Sequence, residues 1–196
     1  MGKLRREIRQ FVKEAGSKTN ARRAAEKWYT EGKGSANEKG VQSTSGRFQP
    51  GKIYVFRYNP KYSAKLPWFD ANPVVLALDP DGSNDVGINL NLVPISTKEN
   101  ILDSIYTRFK DEMKQQSIGG KKDNATRQGQ LSLNWEDSSQ YLSRAGLQFA
   151  VRQYIPGRKS NQTVVSYENW PKIVLCDFAD INGTTYGKLR YLFRKR

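Results

Sequence analysis

Histidine is absent from all 196 residues of the sequence. Its absence excludes catalysis by Ser-His-Asp and Cys-His arrangements, zinc sites of the H-E-x-x-H kind and most other sites that need an imidazole ligand. The common classes of hydrolase are therefore excluded. We expect a chain with no enzyme activity, no catalytic residue, no metal site and no cofactor.

Cysteine occurs once, as Cys176, within the apolar run KIVLCDF. A single cysteine excludes an intrachain disulfide and a zinc ribbon, fits a reducing compartment such as a cytoplasm, and is expected to be a small buried core residue. Long apolar runs are absent too, because none approaches 18 residues and the first residues lack the apolar core of a secretory signal. We therefore expect no membrane partner.

Acidic residues are scarce relative to basic ones, with 19 Asp and Glu against 33 Lys and Arg and a net charge of +14. The excess lies at the ends, since residues 1–46 carry 11 basic and 5 acidic residues, and residues 188–196 carry 5 basic and none acidic. Basic termini favour phosphate backbones through counterion release. The alternative roles for such termini are solubility or docking on an acidic protein face.

The pattern along the chain divides it into a helical basic arm at 1–30, a flexible linker at 31–46, a body at 47–187 and a basic C-terminal tail at 188–196. Apolar residues of the arm recur on one face of a helix over 3–15, with arginines on its other sides. Asn20 is a candidate N-cap for a second helix. The stretch EGKGSANEKGVQSTSG, rich in Gly, Ser and charge, predicts the linker.

An amphipathic helix without its own core docks either on its own domain or on a partner subunit, and the length of the linker favours the partner. Large apolar side chains in the loop after the first body strand offer further anchors. The expected partner-binding residues are Leu4, Ile8, Phe11, Trp28, Tyr29, Trp68 and Phe69.

The body has the pattern of a small α+β domain. KIYVFRY, NPVVLALD and VGINLNLVP predict three strands, and NQTVVSYENW and KIVLCDF predict two more. Ser96 and Glu99 have capping-box spacing at the start of one helix, and a second helix is predicted over 138–155. We expect a small antiparallel sheet or barrel with two or three packed helices, plus the helical N-terminal arm.

Two loops invite a chemical interpretation. DPDGSND at 79–85 holds three carboxylates, but Gly82 comes fourth and Leu90 stands at position 12, so the pattern fails for an EF-hand and favours a hairpin turn. GGKKDN fails the phosphate-loop pattern GxxxxGK[ST]. Its Lys121 and Lys122 either contact a backbone phosphate or belong to a solvated charge run.

The segment 58–94 resembles a structural family of large contractile-tailed phages, T-even-like and cyanophage-like, whose members are labelled DNA end protector or virion structural proteins. The resemblance is carried by PG at 50–51, YNPK at 58–61, LPWFD at 66–70, PVV at 73–75 and GINLNLVP at 87–94, and later by residues 149–154 and YENW before IVLCDF. It covers roughly residues 47–178. Two departures stand out: Asn91 occupies a position where the family pattern predicts histidine, and the arm is longer than in compact members.

The resemblance implies a non-enzymatic virion structural protein at genome ends or the head–tail junction, assembled in the host cytoplasm. Its partners would be other virion proteins and double-stranded DNA, within a symmetric multi-subunit assembly. The tail KLRYLFRKR is interpreted as the end of a core strand whose charges stay available for a polyanion. The expected DNA-binding residues are Arg5, Arg6, Arg9, Lys121, Lys122, Arg194, Lys195 and Arg196.

Two alternatives stay open at this point. One is a tail or baseplate structural subunit without DNA contact, whose basic ends bind acidic faces of neighbours. The other is a small-barrel RNA-binding or endoribonuclease-like protein, because GKIYVF, NPVVLAL and INLNLVPIS follow the rhythm of small Src-homology-type barrels. Such an enzyme would act through Arg57, Lys61 or Asp70 without histidine, although no convincing acid–base pair stands out.

Overall fold

The computed structural model describes residues 2–32, 41–43, 46–63, 69–80, 82–118, 133 and 135–177 of the chain. Within these residues a six-stranded sheet forms the centre of the fold. The strands are β1 (Val41–Ser43), β2 (Ile53–Tyr58), β3 (Val74–Ala77), β4 (Asp85–Asn89), β5 (Val151–Tyr154) and β6 (Lys159–Val165). Their order is β1-β6-β2-β3-β4-β5, with every neighbouring pair antiparallel. As described, the sheet is open, so the sheet alternative of the prediction is the one observed.

Five α-helices accompany the sheet in the described residues, which confirms the α+β prediction. They are α1 (Lys3–Glu14), α2 (Lys18–Gly32), α3 (Ile95–Ile118), α4 (Trp135–Arg144) and α5 (Trp170–Leu175). Single 3-10 turns occur at Leu90–Leu92, Gln148–Ala150, Pro156–Arg158 and Tyr167–Asn169. The hairpin predicted at DPDGSND is confirmed, because β3 and β4 pair there and Gly82 has a φ of 57°.

The two faces of the sheet bury different side chains, as the period of two along each strand requires. Ile53, Val74, Leu76 and Ile88 point to the face covered by helices and join the main apolar core. Tyr54, Phe56, Val75, Ala77 and Tyr154 point the other way and form a second cluster with Phe48. The rings of Phe48 and Tyr54 stack at a centroid distance of 4.6 Å.

Helix α5 lies at the centre of the helical layer, in contact with α1, α2 and α3. It is almost wholly buried, and its last carbonyl groups need donors inside the protein. Lys98, which is fully buried on α3, places its Nζ 2.5 Å from the carbonyl oxygen of Cys176 and 3.4 Å from that of Ile173. A cation at the C-terminal end of a helix also meets the favourable end of its dipole.

The predicted helix over 138–155 is wrong in its second half. Helix α4 ends at Arg144, because Gly146 takes a φ of 66° and the amide of Leu147 donates to the carbonyl of Leu142, closing the helix end. The chain then forms β5, which pairs with β4. The backbone hydrogen bonds of this edge strand outweigh the helical spacing of its apolar side chains.

The predicted strand at KIVLCDF is also wrong, because its residues up to Leu175 form the C-terminal part of α5. Pro171 stands in the first turn of that helix, where its missing amide hydrogen leaves no bond unmade. Three predicted boundaries shift as well. Ser17 caps α2 in place of Asn20, accepting from the amide of Asn20 at 3.1 Å, and Ser96 lies inside α3. The strand predicted at VGINLNLVP ends at Asn89, whose side chain caps a 3-10 turn.

The predicted arm packs on the body of its own chain. Leu4, Ile8 and Tyr29 are buried in the main core together with residues of α3, α5 and the sheet. The prediction that these three side chains dock on a partner is therefore corrected, since each is already buried within its own chain. Within the predicted linker, Val41–Ser43 form β1 beside β6.

Replacing Leu4 tests whether α1 belongs to the core. We expect Leu4→Ala to lower the free energy of unfolding by about 2–5 kcal/mol, because it opens a cavity at a fully buried position. Lys13→Ala, on the exposed side of the same helix, should change it by less than about 0.5 kcal/mol. Urea unfolding measures both variants, and equal stability of the two would contradict the packing described.

Lys98 should make stability depend on pH. Burial lowers the pKa of Lys98 to about 8, whereas a lysine in the unfolded chain titrates near 10.4. Between these values the unfolded chain holds more protons, so this group makes the free energy of unfolding rise with pH, by about 2 kcal/mol at pH 9.5 relative to pH 7.

The measurement compares urea unfolding of the wild type and of Lys98→Met from pH 7 to 9.5. The wild type should gain stability relative to this variant only above about pH 8. Lys52→Met, at an exposed lysine, is the matched control and should give a flat difference. A flat difference for Lys98→Met as well would show that the buried amine titrates normally.

Candidate nucleic-acid interface

Helix α1 has two faces with opposite chemistry. Leu4 and Ile8 point into the core, while Arg6, Arg9 and Lys13 are exposed. At about 100° per residue, these three cations fall within about 60° of the helix circumference, on the side away from the core. We call Arg6, Arg9 and Lys13 the outer basic face. It contains two of the residues that the sequence predicted as DNA contacts, Arg6 and Arg9.

Arg5 lies on the flank of α1 and is held by α3. Its Nε is 3.0 Å from a carboxylate oxygen of Glu99 and 3.7 Å from one of Asp103, and its guanidinium donates to the side-chain oxygen of Asn100 at 2.6 Å. This intramolecular network already satisfies the charge that the sequence pattern assigned to DNA. The structure therefore places Arg5 in the attachment of α1, apart from the outer basic face.

The N-terminal end of α1 is fixed by Asp103, which accepts a hydrogen bond from the amide of Arg5 at 3.3 Å. A carboxylate here meets both the unpaired amides and the positive end of the helix dipole. One turn later Tyr106 donates a short hydrogen bond to Glu7. Burial and the neighbouring Glu7 carboxylate raise the pKa of Tyr106 far above its ordinary value, so it stays a donor. These contacts set the rotation of α1 about its axis.

The other predicted partner-binding residues have different surroundings. Phe11 and Trp28 are partly buried against the core, and Lys172 places its Nζ 5.2 Å from the centroid of the Trp28 ring. Phe69 is 37% exposed and keeps a surface that a partner can contact. The remaining predicted site residues lie outside the described part of the chain: Trp68, Lys121, Lys122, Arg194, Lys195 and Arg196.

Asp70 holds the loop before β3 in place. One of its carboxylate oxygens accepts from the side-chain amides of Asn91 at 2.6 Å and Asn89 at 3.1 Å, and the other accepts from the backbone amide of Asn72 at 3.0 Å. Asp70 thus bonds one backbone amide and two side-chain amides of nearby residues. Asn91, at the position where histidine was expected, serves here as a hydrogen-bond donor.

Helix α2 reaches this loop through Tyr29, whose hydroxyl donates to the carbonyl of Asn72 at 3.0 Å. Burial and Asp70 raise the pKa of Tyr29 far above its ordinary value. The hydrogen bonds give Asp70 a structural role. The described sheet is also open, which differs from the closed barrel that the small-barrel endoribonuclease alternative predicts.

Asp85 is a buried carboxylate, although the sequence pattern indicates only a turn residue at this position. It accepts from Lys159 Nζ at 2.5 Å, from Arg47 Nε at 2.7 Å and from the amide of Phe48 at 3.0 Å. Burial opposes its ionisation, but the bonds from Lys159, Arg47 and Phe48 outweigh burial and hold the pKa of Asp85 below its usual range. All three partners are far from Asp85 in the sequence, so no local sequence pattern indicates this network.

The described residues contain neither a candidate metal site nor a candidate membrane-spanning helix. No group of three or more His, Cys, Asp or Glu side chains is arranged there to hold a metal ion. None of the helices in the same residues has the length and apolar character needed to cross a membrane.

Comparison with known protein families shows where the chain belongs. A family model described as Phage T4 terminal DNA protecting protein matches residues 1–190, nearly the whole chain and including α1 and α2. No curated protein and no solved structure matches. The match covers both the resemblance noted in 47–178 and helix α1, which carries the outer basic face.

Asp103 offers a test of how α1 is attached. We expect Asp103→Asn to lower the free energy of unfolding by about 1–3 kcal/mol, because it weakens the hydrogen bond to the α1 terminus and removes a partner of Arg5. Glu14→Gln removes the same charge from the other end of α1 and should leave stability unchanged or slightly raised. Chemical denaturation compares them, and a larger loss for Glu14→Gln would contradict the described geometry.

Proposed function

The chain belongs to the phage T4 terminal DNA protecting protein family, and from this premise we propose that it is a non-enzymatic virion protein that binds the ends of duplex DNA. The observation that carries the proposal is the outer basic face, because it gives a chain of this family a positively charged surface that suits DNA phosphates. Arg5, on the flank of α1, pairs with the acidic residues Glu99 and Asp103 of α3.

The spacing on the outer basic face suits a phosphate backbone. Lys13 is seven positions after Arg6, which is about 10 Å along a helix at 1.5 Å per residue. One strand of B-DNA presents a phosphate about every 3.4 Å along its axis, so this length spans about three phosphates. Contacts of this kind provide affinity without reading sequence, as a protein that serves genome ends of any sequence requires.

Protection of a DNA end requires only that a protein stays bound there, and it requires no catalysed reaction. An exonuclease must reach the terminal nucleotide, so a protein that stays bound there blocks degradation for as long as it remains. Further contacts are proposed from Lys121, Lys122, Arg194, Lys195 and Arg196, whose charges add to the same counterion release. Each added phosphate contact lengthens residence on the end at a given salt concentration.

The protein is further proposed to sit in the virion at the genome ends or the head–tail junction, as one part of a symmetric assembly formed in the host cytoplasm. Phe69 supplies an exposed apolar contact for a neighbouring virion protein. A tail or baseplate position without DNA contact is the alternative, and a DNA protection assay separates the two.

The test measures how well the purified protein shields linear duplex DNA from an exonuclease across a series of salt concentrations. A nicked circular duplex of the same sequence serves as competitor. We expect protection that the circle fails to remove. Equal competition by the circle would mean that the chain does not recognise ends, and a lack of any DNA binding would favour the tail or baseplate alternative.

The contribution of the outer basic face is measured with a triple variant, Arg6→Gln, Arg9→Gln and Lys13→Gln. The slope of log affinity against log salt should become shallower by about 0.9 for each phosphate that the variant no longer neutralises. A control removes three exposed charges elsewhere, through Arg23→Gln, Lys52→Gln and Arg144→Gln. Equal slopes for the two triples would show that net charge alone drives binding.

A further inference from the structure

One end of the sheet carries an exposed aromatic side chain among cations. Tyr62, in the loop after β2, is 58% exposed, more than the 38% of Tyr141 on α4. The Nζ of Lys61 lies 5.4 Å from the centroid of the Tyr62 ring. A solvent-exposed ring of this size is available to stack on another flat group.

The loop holding Tyr62 is attached to the turn between β5 and β6. The amide of Asn59 donates to the carbonyl of Arg158 at 3.1 Å, and the amide of Ile155 donates to the Tyr58 hydroxyl at 3.4 Å. Tyr58 itself packs edge-on against Tyr154, with ring centroids 5.1 Å apart. The loop and the turn therefore form one surface supported by the second core cluster.

The charge of this surface has one sign. Residues 57–63 and 155–161 contain no Asp or Glu, and Arg57, Lys61 and Arg158 are exposed. Lys159 differs from them, because its Nζ is buried against Asp85. We call Arg57, Lys61, Tyr62 and Arg158 the aromatic–basic patch. An aromatic ring beside cations provides base stacking together with phosphate neutralisation.

A duplex end differs from a duplex interior in two chemical features: the uncovered face of the last base pair and the terminal phosphates. Cations along a helix bind phosphates at either place, so the outer basic face cannot by itself distinguish them. A flat apolar side chain that stacks on the terminal base pair provides this distinction. Among the described residues, the aromatic–basic patch combines the most exposed ring with flanking cations.

We infer that the aromatic–basic patch recognises the DNA end itself, with Tyr62 stacked on the terminal base pair and Arg57, Lys61 and Arg158 neutralising the nearest phosphates. This inference rests on the proposed function and adds the side chain, Tyr62, that distinguishes a duplex end from a duplex interior. Stacking of a base on an aromatic side chain contributes about 1–3 kcal/mol, which corresponds to a preference of about 5- to 150-fold.

The experiment measures affinity for two DNAs of the same duplex sequence, one with open ends and one closed at both ends by hairpin loops. The wild type should prefer the open duplex, and Tyr62→Ala should reduce that preference about 5-fold or more. Tyr62→Phe keeps a flat ring and should retain the preference. Tyr141→Ala removes an exposed tyrosine from α4 and serves as the matched control.

The outcomes separate the two proposals. Equal binding of both DNAs by the wild type would refute end recognition altogether, including the proposed function. An open-end preference that survives Tyr62→Ala would overturn the role of Tyr62 and leave the proposed function standing. Equal loss of binding to both DNAs in Tyr62→Ala would also overturn it, because the residue would then support general binding or a protein contact in place of end recognition.

Discussion

The buried C-terminal end of α5 is the feature on which the helical layer depends. A helix end inside a core leaves carbonyl groups without partners, and each unsatisfied group costs about 1–3 kcal/mol. The amine of Lys98 donates to the carbonyls of Ile173 and Cys176 and so allows α5 to end inside the protein. With α5 in place, α1, α2 and α3 have a common apolar surface to pack against.

The orientation of α1 follows from that packing and from polar contacts that allow only one rotation. Its apolar stripe packs against α5 and the core. Arg5 forms ion pairs with the acidic residues of α3, and Glu7 accepts a hydrogen bond from Tyr106. Because these contacts cover the other sides of α1, the outer basic face is the side that remains exposed. The way in which α1 is attached to the body therefore determines which surface is exposed and proposed to bind DNA.

Strong periodic patterns predicted much of the fold. The helical stripe of α1 and the alternation in β2 gave correct elements, since each pattern extends over several residues. The short buried segments failed, because an apolar run such as KIVLCDF has no period that separates strand from helix. The site was predicted in part: Arg6 and Arg9 are exposed as expected, but Arg5, one residue away, is rotated by about 100° and faces α3. The partner of an apolar stripe cannot be predicted from the stripe alone.

The division of α1 into an attached side and an exposed side has a consequence for how such a protein can change over generations. Substitutions on the exposed side alter the strength of contact with a polyanion while the core keeps its packing. Substitutions on the attached side act on folding first. Selection can therefore adjust the two properties separately within a single helix of 12 residues. We expect related chains to vary in the number of cations facing outward while keeping the apolar spacing that faces inward.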